Sequence, residues 1–363
     1  MPDVDARPGA GRRPSGPAPR LVVDVTGHGF GHLGQLAPIL AELRARRPEL
    51  ALTVRSGLSP ERLELVLGRP VACAPAPPDI GLRMLSPVEP DRPATRAWYD
   101  RLERDWEAVL AREVAALHAL APDLLVANVG PVGLAAAAAA RVPAVAVSSL
   151  DWASVLEAYG LASPALIERL RAAYAAVPFV QLTPHLEMPW HPDRHPVGPV
   201  ARRGRRRRAE LVARLARPAD DILVLVAFGG IAMPRPLATL PPLDGVVWLA
   251  DGTSGPGLVP VGPLGLPFAD LLASADLLIT KTGYGLLVEA AVAGTPVLFL
   301  PRPDWPEAPY LEGWIERLGI GRPLPAGPAA LEAAVRATAA APRPQLVEPT
   351  GIAEAVAILE RWL

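Results

Sequence analysis

The chain contains one lysine, Lys281, and one cysteine, Cys73. A lone cysteine excludes a disulfide framework and a cysteine-built zinc site, and predicts a small buried apolar side chain at position 73. Net formal charge is −1, so no basic field suggests nucleic acid. No apolar run is long enough to span a bilayer: the longest, 133–147, is broken by Arg141 and Pro143. Residues 1–19 are rich in Pro, Gly and Arg and lack the apolar core of a signal peptide, so a mobile tail is expected there. Neither a P-loop nor a Gly-x-Ser-x-Gly elbow occurs. His185, His191, Asp193 and His195 match no standard ligand spacing, and no metal is expected. These absences suggest a cytoplasmic protein for which peripheral membrane contact stays open.

What is present is core-forming material. Half of the 363 residues are hydrophobic, enough for large cores and, at this length, two domains. Short apolar segments at 21–25, 50–54, 123–129, 144–150 and 179–182 read as strands. Between them lie helical spacings, such as Leu36, Ile39, Leu40 and Leu43 on one face. A single long amphipathic helix is predicted over 95–120, through Trp98, Leu102, Trp106, Val109 and Leu117. The alternation halts in a Pro- and Arg-rich stretch, then restarts with strands at 221–227, 246–249, 258–261 and 296–300. We therefore expect an N-terminal α/β domain over 20–184, a linker over 185–208, a C-terminal α/β domain over 209–345, and a helix over 346–363 packing back on the first domain. Parallel sheets bind ligands outside the carboxyl ends of their strands, so the site is expected in a cleft between the domains.

Two loops carry the chemistry. Thr280-Lys281-Thr282-Gly283-Tyr284-Gly285 follows an apolar strand and opens a helix. Its glycines admit close approach of main-chain N–H groups, and the helix N-terminus favours an anion, phosphate above all. Glu289, one turn beyond Gly285, is placed to reach a sugar hydroxyl. The other loop, Gly29-Phe30-Gly31-His32-Leu33-Gly34, fits the dinucleotide pattern G-x-G-x-x-G. The next strand ends in Arg55 rather than an acid. Arg55 suits a 2′-phosphate and keeps an NADP-dependent oxidoreductase as an alternative. His32 begins the helix, where the dipole lowers a histidine's pKa and suits a general base. His28 would orient or bind substrate. Asn128 ends a strand on the same rim as Ser149, Asp151 and Trp152; Asp151 serves equally well as a cap of the following helix. The arginine run from Arg202 is either a solvated face or supplies one contact to a pyrophosphate.

The segments 26–32 and 281–290, with Val226-Ala227-Phe228-Gly229-Gly230 and Arg302-Pro303-Asp304-Trp305-Pro306-Glu307, together resemble glycosyltransferases of the GT-B type. The first two closely resemble motifs of the glycosyltransferase-like N-terminal region of L-arabinokinases, which the other two echo, and the second half is also similar to peptidoglycan N-acetylglucosaminyltransferases and UDP-glucuronosyltransferases. The resemblance implies two Rossmann-like domains and an inverting transfer of a hexosyl or pentosyl group. It needs no metal or resident cofactor, and the co-substrate is a nucleoside-diphospho sugar, by preference UDP-linked. His32, next to Gly31, becomes the base that activates a hydroxyl of a small-molecule or lipid-linked acceptor. The donor contacts fall on Gly229, Gly230, Arg202, Lys281, Thr282, Gly283, Tyr284, Gly285 and Glu289, with Phe268 and Leu272 on the base and Asp304 and Glu307 on the sugar. Acceptor contacts fall on Gly31, Asn128, Ser149, Asp151 and Trp152. Asn128 stands where related proteins often carry Asp. A nucleotide-sugar epimerase or hydrolase, or a non-catalytic nucleotide-sugar-binding module, is the alternative on the same fold.

Overall fold

The computed structural model describes residues 18–26, 29–229, 240–251 and 257–363. The apolar runs pair into two wholly parallel sheets. The first contains β1 (Arg20–Val25), β2 (Ala51–Ser56), β3 (Ala72–Ala74), β4 (Leu124–Asn128), β5 (Ala144–Ser148), β6 (Phe179–Leu182) and β7 (Arg194–Val197), in the order β3-β2-β1-β4-β5-β6-β7. The second contains β8 (Ile222–Ala227), β9 (Val246–Asp251), β10 (Leu258–Pro260), β11 (Leu277–Lys281), β12 (Val297–Leu300) and β13 (Gly321–Pro323), in the order β10-β9-β8-β11-β12-β13. Both orders reverse at the first strand of the sheet, and crevices open there at the carboxyl ends of the strands. β4, β5 and β6 are buried along their whole length, as a sheet covered on both faces requires.

Three departures from the predicted elements have local causes. The 95–120 stretch is two helices, α3 (Arg92–Arg104) and α4 (Trp106–Leu120). Asp105, at φ −96° and ψ 7°, closes the first and opens the second. The stretch expected as a linker contributes β7, which pairs with β6 from Phe179↔Arg194 to Leu182↔Val197 and extends the first sheet. Cys73, expected to be buried, is exposed, because β3 is a three-residue edge strand lying outside the core.

The core is shared between the sheets. One cluster runs from Leu21, Val23 and Leu36 through Leu225, Leu278 and Leu287 to Ala355, Val356 and Leu359. The last three belong to the final helix, Gly351–Leu359, which packs against the first helix, Gly29–Arg46. A second cluster fills the other face of the first sheet and takes in Trp305 and Ala308 from the far side of β12.

Beneath β1 lies a buried ion triad. Arg55 has no exposed surface. Its Nε and Nη2 donate to Asp24 at 2.6 and 2.9 Å, and its Nη1 donates to Glu113 at 3.2 Å. A guanidinium spent in this way has no face for a 2′-phosphate, so the feature that pointed to NADP is structural. Removing one member of a buried pair strands the other charge, at about 3–5 kcal/mol. Arg55→Ala is therefore expected to lose about that much in urea denaturation, and a loss below 1 kcal/mol would contradict the triad.

Candidate active site

α1 (Gly29–Arg46) leaves the carboxyl end of β1, and β1 pairs with β4 so that Val25 lies opposite Asn128. His32 and Gln35, three residues apart on α1, face the ends of β4 and β5. Asn128 Nδ2 donates to Gln35 Oε1 at 2.8 Å and to the Val147 carbonyl at 2.7 Å. Two carbonyl-type acceptors require the amide nitrogen on that side, so the Asn128 oxygen faces His32. His32 Nδ1 lies 2.9 Å from Asn128 Oδ1, an acceptor only, so Nδ1 carries the proton. That tautomer makes Nε2 the unprotonated nitrogen, as a general base needs. The polar line continues from Gln35 Nε2, which donates to Ser149 Oγ at 3.0 Å. Ser149 stands beside Glu307 of the second domain and favours its charged form. The Trp152 ring lies 5.8 Å from His32 and 6.5 Å from Trp305, so aromatic contacts follow the same route.

The second domain offers the opposite electrostatics. Lys281 ends β11 alongside Leu300 of β12, two residues before Arg302. α10 (Tyr284–Ala293) begins at Gly283, and no side chain caps it. Lys281 Nζ sits against Gly283: a Cβ there would stand 3.4 Å from it. Burial pushes the Lys281 ammonium down to about 7, with the charge of Arg302 adding to the effect. Burial also lowers the pKa of Arg302. The Arg302 guanidinium lies 4.4 Å over the Trp305 ring, and its Nε has no hydrogen-bond partner. Glu307, 2 % exposed, accepts from Trp305 Nε1 at 3.1 Å. Burial raises its pKa, while Ser149, Trp305, Arg302 and Lys281 pull the other way. A half-buried lysine, a buried arginine, one acid and an uncapped helix N-terminus together favour an anion.

The expected site residues divide. His32, Asn128, Ser149, Trp152, Lys281, Gly283 and Glu307 converge, though Asn128, Ser149 and Trp152 are buried as supports of the histidine rather than exposed to an acceptor. Gly31 and Gly285 have open space where a Cβ would be. Glu289 is half-buried on α10, and Phe268 half-buried at the start of α9 (Phe268–Ser274). Gly229 lies two residues past β8 with φ +71°, a conformation that favours glycine. His28 and Gly230 lie outside the described residues.

Several expectations are overturned. The Asp151 side chain caps α6 (Trp152–Tyr159) by accepting from Ser154 N, and is fully buried. The Tyr284 hydroxyl accepts from Val200 N–H and donates to the Thr183 carbonyl, tying the two halves together instead of meeting a donor. The Thr282 hydroxyl donates to Glu312. Leu272 is sealed in the core. Arg202 donates to the Val66 carbonyl, and its neighbours Arg203, Arg207 and Arg208 pair with Glu348, Asp270 and Asp276, so the run fastens the connector down. Asp304 is exposed and paired with Arg92. The sequence reading missed Gln35, Arg302 and Trp305; only the Arg-Pro-Asp-Trp-Pro-Glu segment gave a signal for the last two.

No family model matches the chain. The L-arabinokinase of Arabidopsis thaliana is 27% identical over 311 residues, covering 80% of this chain. The chain spans only 29% of that relative's length. Among solved structures, the glycotransferase of kitacinnamycin aligns with a TM-score of 0.63 at 18% identity, over 95% of this chain and 99% of that one. The calicheamicin glycosyltransferase CalG4 aligns at 0.58 and 20% identity, over 95% and 98%. A putative UDP-N-acetylglucosamine 2-epimerase from Listeria monocytogenes aligns at 0.56 and 13% identity, over 94% and 96%. The chain therefore has the GT-B fold, two Rossmann-like domains facing across a cleft.

The Asn128 geometry makes a specific prediction. In Asn128→Asp a carboxylate oxygen would replace the NH2 group that now satisfies two carbonyls. The variant is expected to lose about 1–3 kcal/mol in urea denaturation, the cost of buried acceptors left without a donor. Unchanged stability would show that the Asn128 amide is not held in this orientation.

Proposed function

We propose that the protein is an inverting glycosyltransferase that uses a nucleoside-diphospho sugar, UDP-linked by preference, and transfers the sugar to a hydroxyl of a small-molecule or lipid-linked acceptor. The observation that carries this reading is the pair of cations, Lys281 and Arg302, at the uncapped start of α10. They belong to the same site as a histidine whose tautomer Asn128 fixes. One half suits a leaving diphosphate and the other suits removal of a proton. Both lie at the carboxyl ends of their strands, where this fold binds ligands.

The steps follow from those residues. His32 Nε2 takes the acceptor hydroxyl proton as the oxygen attacks the anomeric carbon. The carbon–oxygen bond to the diphosphate breaks on the opposite face, which inverts the configuration. The leaving charge meets Lys281 and the free N–H groups at the start of α10. Glu307 and Trp305 border the position of the sugar. The imidazolium then returns its proton to solvent. An epimerase or hydrolase is the second reading, since the Listeria protein shares the fold; product formation from donor alone would favour it.

Three outcomes test the proposal. His32→Ala is expected to lower transfer by about 10²–10⁴-fold while leaving UDP affinity unchanged; full turnover would remove the base assignment. UDP binding should also depend on pH through Lys281. The ammonium form binds the diphosphate, and a bound anion raises its pKa above the free value of about 7. Affinity is therefore highest below that value and falls as pH rises from 7 to 9, by up to about tenfold per unit. This window lies above terminal phosphate ionisation near pKa 6, about where a phosphate group titrates. Calorimetry on wild type and Lys281→Met should give a sloping and a flat profile respectively; matching slopes would exclude Lys281 as the anion contact.

A further inference from the structure

A second concave site lies in the first domain, beside the histidine loop. A cavity of about 430 Å³ opens at the carboxyl ends of β1 and β3, walled by Pro77, Pro78, Ile80, Leu82 and Trp98. Asp79 and Thr26 line it as well. Both carboxyl oxygens of Asp79 and the hydroxyl of Thr26 are buried and, among the described residues, lack a hydrogen-bond partner of ordinary geometry. Thr26 N donates to the Asn128 carbonyl at 3.3 Å, so the cavity adjoins the residue that orients His32.

Asp79 makes no ion pair of its own among the described residues. The neighbouring Asp24 pairs with Arg55, and Glu113 pairs with both Arg55 and, at 3.6 Å, Arg112. Arg83 also lines the cavity but is exposed, and the Tyr99 hydroxyl is committed to the Gly81 carbonyl. The Val132 N–H, at the start of α5 (Pro131–Ala140), partly favours the charged form of Asp79. Burial and the Asp24 charge outweigh it and push the Asp79 carboxyl up to about 8. An acid with buried acceptor atoms, one backbone N–H directed toward it, apolar walls and an indole beside it suits a cation with N–H donors.

We propose that this cavity binds an amine carried on an apolar body, with the ammonium on Asp79 and Thr26 and the body against Trp98 and the prolines. Resting on the transferase reading above, this makes the acceptor an amino-bearing molecule whose hydroxyl reaches His32. The binding itself does not depend on that reading. The ammonium displaces the proton of Asp79, so near pH 7 about one proton leaves for each amine bound.

The test uses the full chain and three probes of matched shape: 2-phenylethylamine, 2-phenylethanol and phenylacetate. Calorimetry at pH 7, in two buffers of different ionisation enthalpy, is expected to show the amine binding at least tenfold more tightly than the alcohol. The carboxylate should be silent, and about one proton should be released with the amine. Asp79→Asn, isosteric and neutral like the resting acid, should lose both the preference and the proton release, with UDP affinity unchanged. Equal binding of amine and alcohol, silence from all three probes, or an amine preference that survives Asp79→Asn would each overturn the proposal. An amine preference in a protein that binds no nucleoside diphosphate would sustain this site and remove the donor reading instead.

Discussion

The Val147 carbonyl and Gln35 Oε1 both point at the Asn128 side chain, and only an NH2 group satisfies both. The orientation of one buried amide therefore decides which nitrogen of His32 holds the proton. A carboxylate would also accept from His32, and would add negative charge to favour the imidazolium. It would then present its second oxygen to two acceptors. Asparagine provides direction without charge, and the charge of this site is collected instead on the other side of the cleft.

The buried ionic groups differ in how far they are satisfied. Arg55, Asp24 and Glu113 bond one another completely, and their role is to hold β1, β2 and α4 together. Arg302 and Asp79 have atoms with no hydrogen-bond partner among the described residues, and burial displaces the pKa values of both and of Lys281. Leaving such groups incomplete costs stability, of the order of 1–3 kcal/mol for each unsatisfied buried group. Folding alone gives no reason to keep them. They lie at the carboxyl ends of strands, where both sheets direct their loops, and all three belong to the sites proposed above.

Much of this was legible in the sequence, because strand, glycine turn and helix follow one another within a few residues. The apolar runs gave the strands, and the fold class followed from their alternation with helices. His32, Lys281 and Gly283 were found because their positions next to a turn carry meaning by themselves. Side-chain direction was not legible. Tyr284 and Thr282 sit in the right loop but turn toward Thr183 and Glu312. Arg55 looked available because Glu113, its second partner, comes from a helix 58 residues away. Gln35 gave no signal, since its role depends on Asn128 and Ser149 arriving from two other strands. Arg302 was hidden among 36 lysines and arginines, distinguished only by the Trp305 ring beneath it and the absence of a partner for its Nε.

The position of Trp305 has a consequence for inheritance. Although it follows β12 in the second domain, it is packed in the apolar cluster of the first, with Trp152 as a neighbour. The final helix crosses in the same direction onto α1. Neither half of the chain is thus a free-standing cassette. A hybrid that joined this first domain to the second domain of another protein would lose part of its own interior unless the segment from Arg302 to Ala308 and the last helix travelled with it. A change in what the cleft binds is therefore more accessible by point substitution within it than by exchange of whole domains.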